Sequence, residues 1–300
     1  VRVSPLVRPL TAVAAAALVA GALAGCTAAP FGGCEPAFEP GDASKAVSVR
    51  GDVGETPIVD YPTPLIAPTP ERSLLVRGDG DPIAPGQAVL VDVTMYDGGS
   101  DAVVAQGSAL IVANDTYGGF GESLLCATEG SRLALVGAPA DLGLQSSAAT
   151  VVVVVDVAQA FLGRADGVNQ LPLDGMPTVV TAVDGTPGIA LAYSEPPAET
   201  RVATIKAGGG ATVADGDTVA YHARSWNWPT AGGSPSIGQL DTWSTFRPGQ
   251  MEVDAESDEA LQGAVLGAKV GTQLLVVIPG TDGGTTSIVV FDILGIVDEE

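Results

Sequence analysis

Few residues in this chain are equipped for bond-making chemistry, and their types exclude most reaction classes. His222 is the only histidine among 300 residues, so a Ser-His-Asp or Cys-His centre has one possible base and nothing near it in sequence to orient that base. Aspartate–glycine runs at Gly78-Asp79-Gly80-Asp81 and Thr281-Asp282-Gly283 lack the ligand spacing of a calcium loop and read as hairpin turns. No G-x-G-x-x-G or P-loop stands between a strand and a helix, so neither a cofactor nor a metal is expected. No residue of this chain stands out from its type and spacing alone as a nucleophile, a metal ligand or a nucleotide contact.

Residues 259–266 read as a short helix, followed by turns at Gly267 and Gly271. Two β-favouring runs follow, Gln273–Ile278 and 287–296. Further back, VRGDGDPIAPGQAVLVDVTMY (76–96) and IKAGGGATVADGDTVAYHARSW (205–226) repeat one pattern, pairing Gly78 with Gly208, Gly86 with Gly216 and Val91 with Tyr221. The later halves repeat too. Residues 125–131 parallel 266–272, and TVVVVVDV (150–157) parallels the last strand, with Asp156 matching Asp292. Ahead of each copy lies a Pro-rich stretch, 56–64 and 186–197, expected to add an edge strand to each unit. Each copy is large enough to bury its own core.

The phrase formed by Leu266, Gly267, Val270, Gly271, Ile278, Pro279, Val290, Asp292 and Leu294 resembles the C-terminal half of FKBP-type peptidyl-prolyl isomerases. The resemblance is strongest over 215–297 and covers about two thirds of the chain. It implies an α+β fold in which two FKBP-like domains, 47–163 (degenerate) and 177–300, are joined by a linker at 164–176. Each would be a curved antiparallel sheet wrapped around one short helix. It also implies a peptide groove in the second copy, with Asp241 as the candidate catalytic acid and Leu240, Leu261, Ile278, Val289, Phe291 and Tyr221 as its walls. The chain departs from the family pattern where a tryptophan is replaced by Leu261 and a tyrosine by Ala223. Trp226, Trp228, Trp243 and Phe246 either rebuild the wall or cover the core elsewhere. Two functions stay open: prolyl isomerisation that assists folding of exported proteins, and a non-catalytic polypeptide-binding or structural module. The partners implied are exported or unfolded polypeptides with X-Pro bonds.

At the other end, VRVSPLVRPL and TAVAAAALVAGALAGC form a basic segment, an apolar run and a small-residue site. The ending Leu23-Ala24-Gly25-Cys26 resembles the bacterial lipobox. Residues 1–25 are therefore expected to be a lipoprotein signal peptide and Cys26 the lipidated residue. The chain would be anchored to the outer face of the cytoplasmic membrane through a flexible tether, 26–46. Cys34 and Cys126 then form an even pair in an oxidising compartment, either bonded as a disulfide or left as separate thiols. The net charge of −22 argues against nucleic acid and anionic lipid as partners, and a monomer is expected.

Overall fold

The computed structural model describes residues 34–191, 195–229, 233–281 and 284–298; the stretch expected as a signal peptide and Cys26 lie outside them. Residues 1–35 and 36–300 cluster as separate units, and every helix and strand named below belongs to the second. Its elements begin with α1 (Asp42–Lys45) and the strands β1 (Ser48–Arg50) and β2 (Ile58–Asp60). The first large sheet draws on β3 (Glu71–Val76), β4 (Ala88–Asp97), β5 (Val103–Val112), β6 (Arg132–Gly137) and β7 (Val151–Ala160), with α2 (Gly118–Ser123) before β6. The second half carries β8 (Val168–Asn169), β9 (Thr178–Thr181), β10 (Pro187–Ala190), β11 (Arg201–Ala207), β12 (Thr218–Asn227) and β13 (Ser236–Asp241). It closes with α3 (Thr242–Thr245), β14 (Gly249–Glu252), α4 (Ala260–Val265), β15 (Gln273–Ile278) and β16 (Ser287–Val297). This is an α+β chain dominated by antiparallel sheet. No helix among the described residues is long and apolar enough to cross a membrane.

The two large sheets are built alike. The first runs β3-β6-β7-β4-β5; the second runs β11-β15-β16-β12 with β13 and β14 both on the far side of β12, and β8 added outside β11. Register repeats residue by residue. Asp92 faces Asp156 and Arg132 faces Asp156 in the first, as His222 faces Asp292 and Gln273 faces Asp292 in the second. Each has a bulge at the same place, between Leu90 and Val91 and between Ala220 and Tyr221. Even the turn contacts coincide: Ile83 N donates to Ala127 O and Val213 N to Ala268 O, both at 2.8 Å. Gly78 and Gly208 are glycine because a Cβ at either would collide with the carbonyl of Glu129 or Val270 across the turn.

The central strands of both sheets are covered on both faces, which explains why β7, β15 and β16 read as unbroken Val/Ile/Leu runs rather than alternating ones. On the inner face of the first sheet, α2 contributes Phe120 to a core with Val89, Val91, Leu133 and Val155. On the inner face of the second, α4 contributes Val265 to a core with Val219, Ala223, Leu274 and Phe291. Among the described residues the Pro-rich stretches do not extend either large sheet, contrary to expectation. β2 pairs with β1 and β10 with β9 as separate two-stranded ribbons. They pack on the back faces, where Val49 and Val59 meet Val152 and Val154, and Val179 and Ile189 meet Trp226 and Leu275. The physical reason is burial: the backs of β6–β7 and β15–β16 are apolar and must be covered, which outweighs adding hydrogen bonds at an edge.

Segments expected to link and tether are packed as well. Ala165 N donates to the buried Asp292 carboxylate, and Met176 is buried against Trp226 and Trp228. From Phe38 onward the stretch expected as a tether contributes to the first half: Phe38 packs on the inner core, and Ser44 N donates to Glu71 Oε2 at 2.8 Å.

Candidate functional site

Alternation along β12 assigns its side chains to two environments. Tyr221 and Ala223 face the inner core; His222, Arg224 and Trp226 face the back. On the inner side the ring of Tyr221 stacks on that of Phe291, with centroids 4.5 Å apart and planes at 24°. Val289 lies beside Phe291, both buried, while Leu240 from β13, Leu261 from α4 and Ile278 from the end of β15 are half-buried around them. All six residues expected as groove walls therefore gather in one apolar cluster. The backbone of β14 lies flat against Tyr221, since a Cβ at Gly249 would run into the phenol ring. Burial pushes the Tyr221 hydroxyl above its ordinary pKa, so it stays a neutral donor at any physiological pH.

Asp241 is placed differently. It stands opposite Arg224 in the β12–β13 register, and its Oδ2 is 3.2 Å from Arg224 Nη2. Its Oδ1 accepts from Ser244 N at 3.1 Å, capping α3. Cross-strand partners share a face, so the Asp241 carboxylate belongs with Arg224 and not with the Tyr221–Phe291 cluster. Leu240 and Asp241, adjacent in sequence, point to opposite sides. The aromatic residues that could have rebuilt the groove also lie elsewhere. Trp226 and Trp228 are buried on the back face, Trp243 stacks on His222 at 4.4 Å, and Phe246 is exposed beyond α3.

The back face carries polar groups whose partners the sequence did not assign. In the first sheet Arg132 and Asp156 form a buried ion pair at 2.5 Å, and Arg132 also donates to the carbonyls of Gly51, Asp52 and Glu55 in the connection between β1 and β2. In the second, Gln273 Nε2 donates to Asp292 Oδ1 at 2.8 Å, and burial raises the Asp292 carboxyl above its usual range. Matching Asp156 with Asp292 was the available signal; their partners sit on strands whose register the sequence alone does not fix. His222 Nδ1 lies 2.9 Å from Thr242 Oγ1, and burial lowers its pKa to about 4, so the imidazole is neutral. Cys34 and Cys126 are both disulfide-bonded. Among the described residues no cluster of metal-ligating side chains occurs.

Against this geometry stand the comparisons with known proteins. No protein-family model matches the chain, and no curated protein matches it. Among solved structures it is similar to the three FKBP domains of wheat FKBP73, at 15% identity over 77% of this chain and 95% of that one, with a TM-score of 0.31. It is similar also to a putative peptidyl-prolyl cis-trans isomerase, FKBP12, from Mycobacterium tuberculosis. That match has 21% identity over 34% of this chain and 87% of the other, with a TM-score of 0.26. FkpA from Escherichia coli matches at 15% identity over 40% of this chain and about half of its own, 51%, with a TM-score of 0.27.

Proposed function

We propose that the chain carries two FKBP-like domains, 47–163 and 177–300, each an antiparallel sheet wrapped on one short helix, α2 or α4. The second presents an apolar cleft to polypeptide and accelerates X-Pro isomerisation there. The observation that carries this reading is the Tyr221–Phe291 stack rimmed by half-buried Leu240, Leu261 and Ile278. The barrier to prolyl rotation comes from amide resonance, about 18–20 kcal/mol in an ordinary peptide bond. The planar amide carries more separated charge than the twisted one. A water-poor apolar surface therefore favours the twist, and no nucleophile is required.

A second reading is favoured by a specific contact. Asp241, the acid that the family resemblance would place at the peptide, is held by Arg224 and Ser244 on the other side of the strand pair. On this reading the cleft binds polypeptide without turning it over. Exchange spectroscopy on a panel of X-Pro peptides decides between the two when run on the full chain and on Leu261→Gln, with far-UV circular dichroism as a control for folding. Acceleration that Leu261→Gln abolishes supports the isomerase. Line broadening of the peptide without acceleration supports the binding module, and neither effect sinks both.

The lipobox-like Leu23-Ala24-Gly25-Cys26 supports attachment to the outer face of a bacterial cytoplasmic membrane, where clients would be exported chains. Pairing of Cys34 with Cys126 belongs to the same proposal. Mass spectrometry of the membrane fraction tests the first: a Cys26 without diacylglycerol overturns it.

A further inference from the structure

The outer edge of the first large sheet lacks the devices that close the equivalent edge of the second. β5 ends the order β3-β6-β7-β4-β5, and its ten residues include neither a charged side chain nor a proline. Residues 103–109 are all exposed. Their backbone pairs with β4 on one side, and among the described residues no strand pairs with the other. In the second sheet the corresponding edge is broken into β13 and β14 by α3, and each piece ends in a carboxylate, Asp241 and Glu252. Interruption and charge are the usual means by which native sheets keep a further strand from adding. A continuous uncharged edge presents instead a row of backbone donors and acceptors.

Beside this edge the back face is recessed. A cavity of about 210 Å³ lies between the β1–β2 connection and the sheet, with Glu55 and Thr56 on one side and Asp92, Thr94, Gln106 and Ser108 on the other. Asp92 pairs with Ser108 and Thr94 with Gln106, so these four share the face of Asp156 and Val154. Asp156 is matched by Arg132, whereas half-buried Asp92 accepts from the Ser108 hydroxyl and has no ion pair among the described residues. We propose that an extended polypeptide adds to β5 as a sixth strand and lays a lysine or arginine side chain across Ser108 toward Asp92. Main-chain bonds to the edge supply the affinity and the acidic recess selects the side chain. An added backbone alongside Ser108 lies two strand spacings from Asp92, about 10 Å, which the two side chains together span. A second copy of this chain fits less well, because its own β5 brings no basic side chain and its net charge of −22 opposes these carboxylates. The edge belongs to the first half and does not depend on the function proposed for the Tyr221–Phe291 cleft.

Short acetylated and amidated peptides of alternating Thr and Val, with either Lys or Glu at the centre, serve as probes on the full chain. Affinity is read by titration, and strand pairing by hydrogen exchange of the amides at 103–109. The Lys peptide is expected to slow that exchange and to bind about tenfold tighter than the Glu peptide, a preference set by one partly exposed charge pair and its reversal. Asp92→Asn keeps the shape and an acceptor for Ser108, and should reduce the preference to about threefold or less. Ser108→Lys sets a like charge on the edge and should abolish binding of the Lys peptide; its exposed position keeps the test valid if Asp92→Asn fails to fold. Unslowed exchange at 103–109, equal affinity for the two peptides, a preference unchanged in Asp92→Asn, or undiminished binding to Ser108→Lys each overturns the proposal. Exchange at 103–109 that slows with protein concentration alone would give the edge to a second copy and overturn it too.

Discussion

Arg224 and Asp241 face each other across the β12–β13 pair with Nη2 3.2 Å from Oδ2, and the same carboxylate caps α3 through Ser244 N. Asp241 thereby ties the edge strand, the short helix and the back of the sheet together. Its removal should act on stability. Asp241→Ala is expected to lose about 1–2 kcal/mol, the sum of a helix cap and a partly exposed ion pair, as a lower urea midpoint with unchanged slope. Loss of isomerase activity at an unchanged midpoint would show instead that the carboxylate reaches the peptide.

The buried pair in the first sheet is more demanding. Arg132→Met leaves Asp156 charged and without its counter-ion in an almost fully buried position, and a loss of about 3–5 kcal/mol is expected. Arg132→Met combined with Asp156→Leu should recover most of it, because neither charge is then desolvated. Chemical denaturation of the three proteins checks this, and a double variant no more stable than the single one contradicts it.

His222 gives a pH dependence with a definite sign. Its folded pKa, about 4, lies below the ordinary value of 6.5 because the ring is buried against Trp243. Between those values the unfolded chain binds the proton and the folded chain does not. Stability is therefore complete above pH 6.5 and falls as the pH drops toward 4, by up to about 3 kcal/mol. Asp292, opposite on β16 with a raised pKa, works in the other direction, so the comparison is with His222→Phe. That variant should show a flatter decline over the same window in acid unfolding.

If the apolar cleft turns over prolyl bonds, its weak point is the missing aromatic at Leu261. Leu261 is half-buried on α4, so a larger side chain there can extend outward rather than overpack the core. Leu261→Trp is expected to raise the exchange rate severalfold on the same peptide panel. A lower rate would place the reacting bond elsewhere.

Local chemistry carried much of this architecture into view. β15, β16 and α4 begin and end within a residue or two of where glycine turns and β-branched runs place them, because those signals depend on backbone conformation alone. The six residues expected from the family resemblance fall in one apolar cluster, since strand periodicity and the short helix turn each of them to the inner face. Asp241 does not: its side is set by the pairing with Arg224 next to a register shift between Arg224 and Trp226, which sequence spacing does not reveal. The Pro-rich ribbons were misassigned for a related reason. Their place is decided by which sheet face needs covering, and that is a property of the assembled sheet.

Where the two halves meet, Gln159 near the end of β7 donates to Ile296 O and accepts from Asp298 N, while Leu162 N donates to Leu294 O. Phe161, Ala88, Ala220 and Leu294 close an apolar plug beside these bonds. The last strand of each half is thus fastened to the other at its end. The halves are therefore joined by direct contact as well as by the chain between them, so separating them would uncover Phe161 and Leu294 and break these hydrogen bonds.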